Sequence, residues 1–114
     1  MVVRNPAERT IQIKGRSGGT FTYMPVADRI AWLRAEHPEA HIVTEAIEIT
    51  DSAAIFKATV AIPGGGSSAG YGSETAADFG DFIEKAETKA IGRALLALGY
   101  SAEFVRTARQ RVAR

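Results

Sequence analysis

The stretch Asp81 to Tyr100, DFIEKAETKAIGRALLALGY, constrains the fold most, because helical periodicity, a clean stop and a patterned charge stripe coincide there. At about 3.6 residues per turn, Ile83, Ala86, Ala90, Ala94, Ala97 and Leu98 fall on one face, which Ile91 and Leu95 widen. That face is expected to be buried. Gly99 followed by Tyr100 reads as a left-handed cap whose next residue folds back on the last turn. Lys85, Lys89 and Arg93 recur at i, i+4 and i+8 and form a basic ridge flanking the apolar face.

The ridge has two readings. Asp78, Asp81, Glu84 and Glu87 lead the helix and the cations follow, as the macrodipole prefers, and Asp81 can pair with Lys85. That describes a solvated face. Yet Lys85 and Lys89, and Lys89 and Arg93, are like-charge i, i+4 neighbours, each costing a few tenths of a kcal/mol. Local stability alone does not select them, so a surface that meets an anion is the competing expectation.

The chain has 114 residues, enough for one core and one domain. Its net charge of +1 offers no global pull toward nucleic acid or membrane, so any electrostatic function must be local. The absence of cysteine excludes disulfides, zinc–thiolate sites and cysteine nucleophiles. No segment has the apolar length of a membrane span, and MVVRNPAERT lacks a signal-peptide core. The expected location is cytoplasmic.

Residues 1–20 read as a basic arm and an edge strand, Thr10 to Lys14, ending in the Gly15–Gly19 turn. Pro25 suits the start of a helix running to Glu36, with Val26, Ile30 and Leu33 on one stripe. Trp32 lies off that stripe, either as a stacking or subunit-contact residue or as part of the core. From His41 the period becomes two. Strands are expected over Ile42–Thr50, Ala54–Ile62 and Ala69–Thr75, with Asp51-Ser52 and the glycine-rich Pro63–Ser68 as turns. In the second strand Ala54, Phe56, Ala58, Val60 and Ile62 share one side, leaving Lys57 on the open face. Ser101 to Arg114 reads as a short basic helix bearing Arg106, Arg109, Arg111 and Arg114.

The expected architecture is α+β: a helix, a three-stranded antiparallel β-meander and a long helix packed on the sheet, then a short basic C-terminal helix. Gly64 to Gly66 lacks the ending of a nucleotide loop and joins two strands, and His37 and His41 straddle Pro38. Glu45, Glu48 and Glu74 have no spacing that distinguishes them from solvated strand residues. No enzymatic constellation, cofactor site or small-molecule substrate site is expected. The ridge Lys85, Lys89 and Arg93, together with Lys57 and the glycine-rich hairpin, suits a groove that tracks a phosphodiester backbone. Tyr23, Trp32 or Tyr71 would be available to stack on bases.

The segment GYGSETAADFGDFIEKAETKAIGRALLALGY, with YMPVADRIAWLRAEHPEAHIVTE before it, resembles the single-strand annealing proteins of phage and bacterial recombination, related to the Rad-fifty-two superfamily. The resemblance covers about Phe21 to Tyr100. It implies an oligomeric ring or arc that holds single-stranded DNA without ATP, in DNA recombination and repair, between the β-hairpin and the helical layer. Lys85, Lys89 and Arg93 would contact the strand, with Lys57 a weaker candidate. Two alternatives stand beside it. The duplex-RNA-binding domain also runs helix, three strands, helix, with lysines near the start of its last helix on phosphates; a non-catalytic oligomerisation or adaptor domain would pair the ridge with a neighbour's acids.

Overall fold

The structure, a computed structural model, describes residues 6–15 and 17–105. After a 3-10 turn at Pro6–Arg9, β1 (Ile11–Lys14) and β2 (Thr20–Tyr23) pair antiparallel, with Ile11 opposite Tyr23 and Lys14 opposite Thr20. The expected lone edge strand is therefore half of a hairpin. Alternation in Thr20-Phe21-Thr22-Tyr23 supplies the other half, which reads from sequence only as a lead-in to the helix. This hairpin forms a two-stranded sheet of its own, separate from the main sheet.

Helix α1 (Val26–Glu36) follows, with Pro25 at its N-cap position, where the missing proline N–H costs nothing. Three strands then form one antiparallel sheet in the order β3 (His41–Ile49), β4 (Ala53–Ala61), β5 (Ser67–Thr75). A bulge between Ala46 and Glu48 shifts the register of β3 against β4. Helix α2 (Phe82–Ala97) crosses the sheet. The α+β architecture expected from the sequence is the one observed.

Period two decides which face of the sheet is buried. Ala54, Phe56, Ala58 and Val60 of β4 are buried with Ala86, Ala90, Ala94 and Leu95 of α2, and Met24, Trp32 and Leu33 close the same core. The small side chains of α2 match a second feature, Gly70 and Gly72 on β5. A β-carbon at Gly70 would stand 2.6 Å from the Ala94 amide nitrogen, and one at Gly72 would stand 2.5 Å from that of Ala90. Real β-carbons do not approach backbone so closely, so only glycine lets helix and strand meet at this distance. Ser68 Oγ, donating to the Ala94 carbonyl at 2.6 Å, ties the start of β5 to the same helix.

The C-terminal stop of α2 matches its sequence signal. Gly99 has φ of 97°, the Gly99 N–H donates to the Leu96 carbonyl at 3.0 Å, and the Tyr100 N–H donates to the Leu95 carbonyl at 2.9 Å. These are the two bonds of a Schellman motif. Beyond it the chain forms a 3-10 turn at Ala102–Phe104. The short basic helix expected over Ser101 to Arg114 is described only at its start, where this 3-10 turn stands; its arginines Arg106, Arg109, Arg111 and Arg114 lie outside the described residues.

Candidate nucleic-acid interface

The ridge forms because α2 presents its small residues to β5, which leaves Lys85, Lys89 and Arg93 exposed on the flank beside that edge strand. Successive members are four residues apart, about 6 Å along the axis. Each stands in a different electrostatic setting. Lys85 Nζ lies 3.9 Å from the Asp81 carboxylate and 4.9 Å from the centre of the Phe79 ring. Lys89 Nζ pairs with Glu74 at 3.1 Å and donates to the Ser73 carbonyl at 3.3 Å. The Glu74 side chain is only 14% exposed, so β5 itself supplies the acid that holds Lys89. Arg93 has no ion pair or hydrogen bond among the described residues and is the ridge member with its full donor set available.

Lys57 does not join the ridge directly. Its neighbours in β4, Phe56 and Ala58, are buried under α2, so Lys57 projects from the opposite face of the sheet. It sits in register with Glu45 of β3 and Tyr71 of β5, with its Nζ 6.0 Å from the centre of the Tyr71 ring. The three features expected to converge are thus split across two faces. The glycine-rich turn lies further along, its Gly66 near Leu98, and is closed by Gly65 N–H to the Ile62 carbonyl at 2.7 Å and Ile62 N–H to the Gly66 carbonyl at 2.9 Å. A groove between β5 and the helical layer has no room, since Gly70 and Gly72 bring the two backbones together.

The aromatic candidates also separate. Trp32 is 3% exposed; its ring meets Tyr100 edge-on at 5.1 Å, and its Nε1–H donates to Glu36 Oε2 at 2.9 Å. It completes the core and cannot stack on a base. Tyr23 is half-buried beneath the Arg29 guanidinium, 5.4 Å from its ring centre. That arginine is itself engaged with the Met24 and Gly92 carbonyls. Tyr71 alone of the three is open, at 56% exposure. Around it, Ile55, Gly72, Ser73, Lys89 and Arg93 line an open cleft of about 320 Å³ at the β5 edge. Sequence reasoning named Tyr71, Lys89 and Arg93 but not Ile55 or Ser73. Period two placed Ile55 on the open face with Lys57, two residues away, but the pairing of Ile55 with Ser73 comes from the β4–β5 register.

A family model described as Slr1353 N-terminal dsRNA-binding domain-like matches residues 30–98, more than half of the chain. The chain belongs to this family. The matched region runs from within α1 through the three-stranded sheet to the C-cap of α2, so it takes in the whole ridge and the β5-edge cleft. It overturns the resemblance to the Rad-fifty-two-related annealing proteins, which rested on the same residues. A helix–three strands–helix order was expected of both families, so the topology did not separate the two. A comparison with curated proteins finds no match. None of the described helices is long and apolar enough to cross a membrane.

Proposed function

We propose that this chain is a non-catalytic nucleic-acid-binding module of the duplex-RNA-binding type, gripping backbone phosphates with the cations of α2. The observation that carries the reading is the ridge itself, set on the helix that closes a matched region whose family model is dsRNA-binding domain-like. Duplex RNA is recognised mainly by shape, through phosphate and 2′-hydroxyl contacts, so a row of cations on a rigid helix suits it and base-reading side chains are not needed.

The grip differs from one placed at the start of the helix. Lys85 and Lys89 each face an acid, Asp81 at 3.9 Å and Glu74 at 3.1 Å, so Arg93, further along the helix, is the cation with its donors open. The ion pairs do not forbid binding: the exposed Lys85–Asp81 pair contributes about 0–1 kcal/mol, and for either lysine a phosphate in place of a carboxylate exchanges one anion for another. The test is a fluorescence-anisotropy titration with a labelled RNA duplex of about 20 base pairs, longer than the about 16 such domains span. Duplex DNA and single-stranded DNA serve as competitors. Binding that prefers duplex RNA and weakens as salt rises supports the proposal; preference for single strands, or no binding at low salt, refutes it.

A second reading, an oligomerisation or adaptor domain, has one observation in its favour. Val43, Ile47 and Ile49 of β3 are exposed on an edge strand, Val43 at 60%, and such an edge can pair with another chain. Light scattering that gives a concentration-independent monomer removes it.

A further inference from the structure

The β5-edge cleft carries chemistry that a duplex backbone does not use. Ile55 and the exposed Tyr71 ring give it an apolar wall on the open face of the sheet, while Lys89 and Arg93 reach its rim from α2. One ligand must therefore present a flat apolar surface and an anion a few ångströms apart. A volume of about 320 Å³ lies at the small end of ligand pockets, the scale of a single nucleotide. Lys57 Nζ lies 6.0 Å from the ring centre of Tyr71, which is 56% exposed.

We infer that this cleft is a subsite for an unpaired nucleotide, the base lying on Tyr71 against Ile55 and its phosphate meeting Arg93. The inference rests on the proposed nucleic-acid role and narrows its substrate class to duplexes that carry a single-stranded end or bulge beside the paired region. Division of labour follows from the geometry: Arg93 stands on the ridge and at the cleft rim, so a strand leaving a helix held by α2 passes into the cleft around the edge of β5. Stacking is tolerant of base identity, so the subsite would recognise the absence of pairing and not a sequence.

The test compares a blunt RNA duplex with the same duplex carrying a short single-stranded overhang, using wild type, Tyr71→Phe and Tyr71→Ala. Tyr71 projects from an open face, and circular dichroism confirms that each variant is folded. The overhang is expected to tighten wild-type binding about tenfold, Tyr71→Phe to keep that gain and Tyr71→Ala to erase it while leaving the blunt duplex unaffected. An overhang without effect, or a gain that survives Tyr71→Ala, overturns the inference. Failure of the blunt duplex to bind instead marks failure of the duplex reading. In that case the free overhang strand, titrated against wild type and Tyr71→Ala, decides the subsite by the same tenfold criterion.

Discussion

The backbone of Gly72 passes so close beneath α2 that a β-carbon there would stand 2.5 Å from the Ala90 amide nitrogen and closer still to the Ala86 carbonyl oxygen. The contact is with helix backbone, which cannot swing aside as a side chain can. Gly72→Ala must push α2 off β5, separating Ala86 and Ala90 from the core and moving the ridge away from the strand edge. A loss of about 3 kcal/mol, at the upper end of overpacking costs, is expected in urea denaturation. Gly80→Ala is the control. Its added methyl meets nothing within 4 Å, and its stability should stay within about 0.5 kcal/mol of wild type.

On the proposed reading, Glu74 competes with nucleic acid for Lys89. The two side chains pair at 3.1 Å, with Lys89 42% exposed and Glu74 mostly covered. Glu74→Gln keeps the shape, removes the negative charge and leaves Lys89 Nζ with the Ser73 carbonyl as its neighbour. Duplex RNA affinity should rise about three- to fivefold, corresponding to release of about 1 kcal/mol from a pair whose lysine is exposed. Unchanged or weaker binding would mean that Lys89 does not contact the ligand.

Arg93→Ala should weaken binding similarly for all sequences and lower the slope of log affinity against log salt by about one phosphate contact. Lys85→Ala should change that slope less, because Asp81 already lies beside Lys85. Equal slopes for Arg93→Ala and wild type would place the interface elsewhere.

Much of the fold was legible because its signals are local. The Gly99-Tyr100 stop, the period-two alternation of β4 and the open-face position of Lys57 each depend on residues within a few positions of one another. What escaped came from long-range partners. Trp32 could not be assigned from α1 alone, since the ring it packs against, Tyr100, follows the far end of α2. The acid that holds Lys89 comes from β5, and the small residues at Gly70 and Gly72 acquire meaning only once Ala86, Ala90 and Ala94 lie over them. The ridge was visible as a charge pattern. The pairing of Lys85 with Asp81 was legible too, being local; that Glu74 holds Lys89 while Arg93 stays open was tertiary information.

Gly99 is the one residue of the α2 stop that must adopt a positive φ, at 97°, with the Tyr100 N–H bonded back to Leu95. Gly99→Ala forces a β-carbon into the left-handed region and should cost about 1–2 kcal/mol. Thermal denaturation checks this, and an Ala variant as stable as wild type would mean that the helix can end differently. The ridge lies well before the cap, so RNA affinity at temperatures where the protein is folded should be unchanged.

Glu36 joins the two helices' ends: its Oε2 accepts from the Trp32 Nε1–H at 2.9 Å and its Oε1 from the Tyr100 hydroxyl at 2.8 Å. Both donors approach one carboxylate, and hydrogen bonds to a charged group contribute about 1.5–3 kcal/mol each, less where solvent reaches the acceptor, as it does at the exposed Glu36. Glu36→Ala removes the acceptor and leaves a buried indole N–H unpaired, so a loss of about 2–3 kcal/mol is expected in denaturation. Glu36→Gln retains one carbonyl acceptor and should lose about half as much. Trp32 is the single tryptophan, so its fluorescence reports the site directly. A Glu36→Ala protein with wild-type stability and an unshifted emission maximum would show that packing against Tyr100 holds Trp32 without the carboxylate.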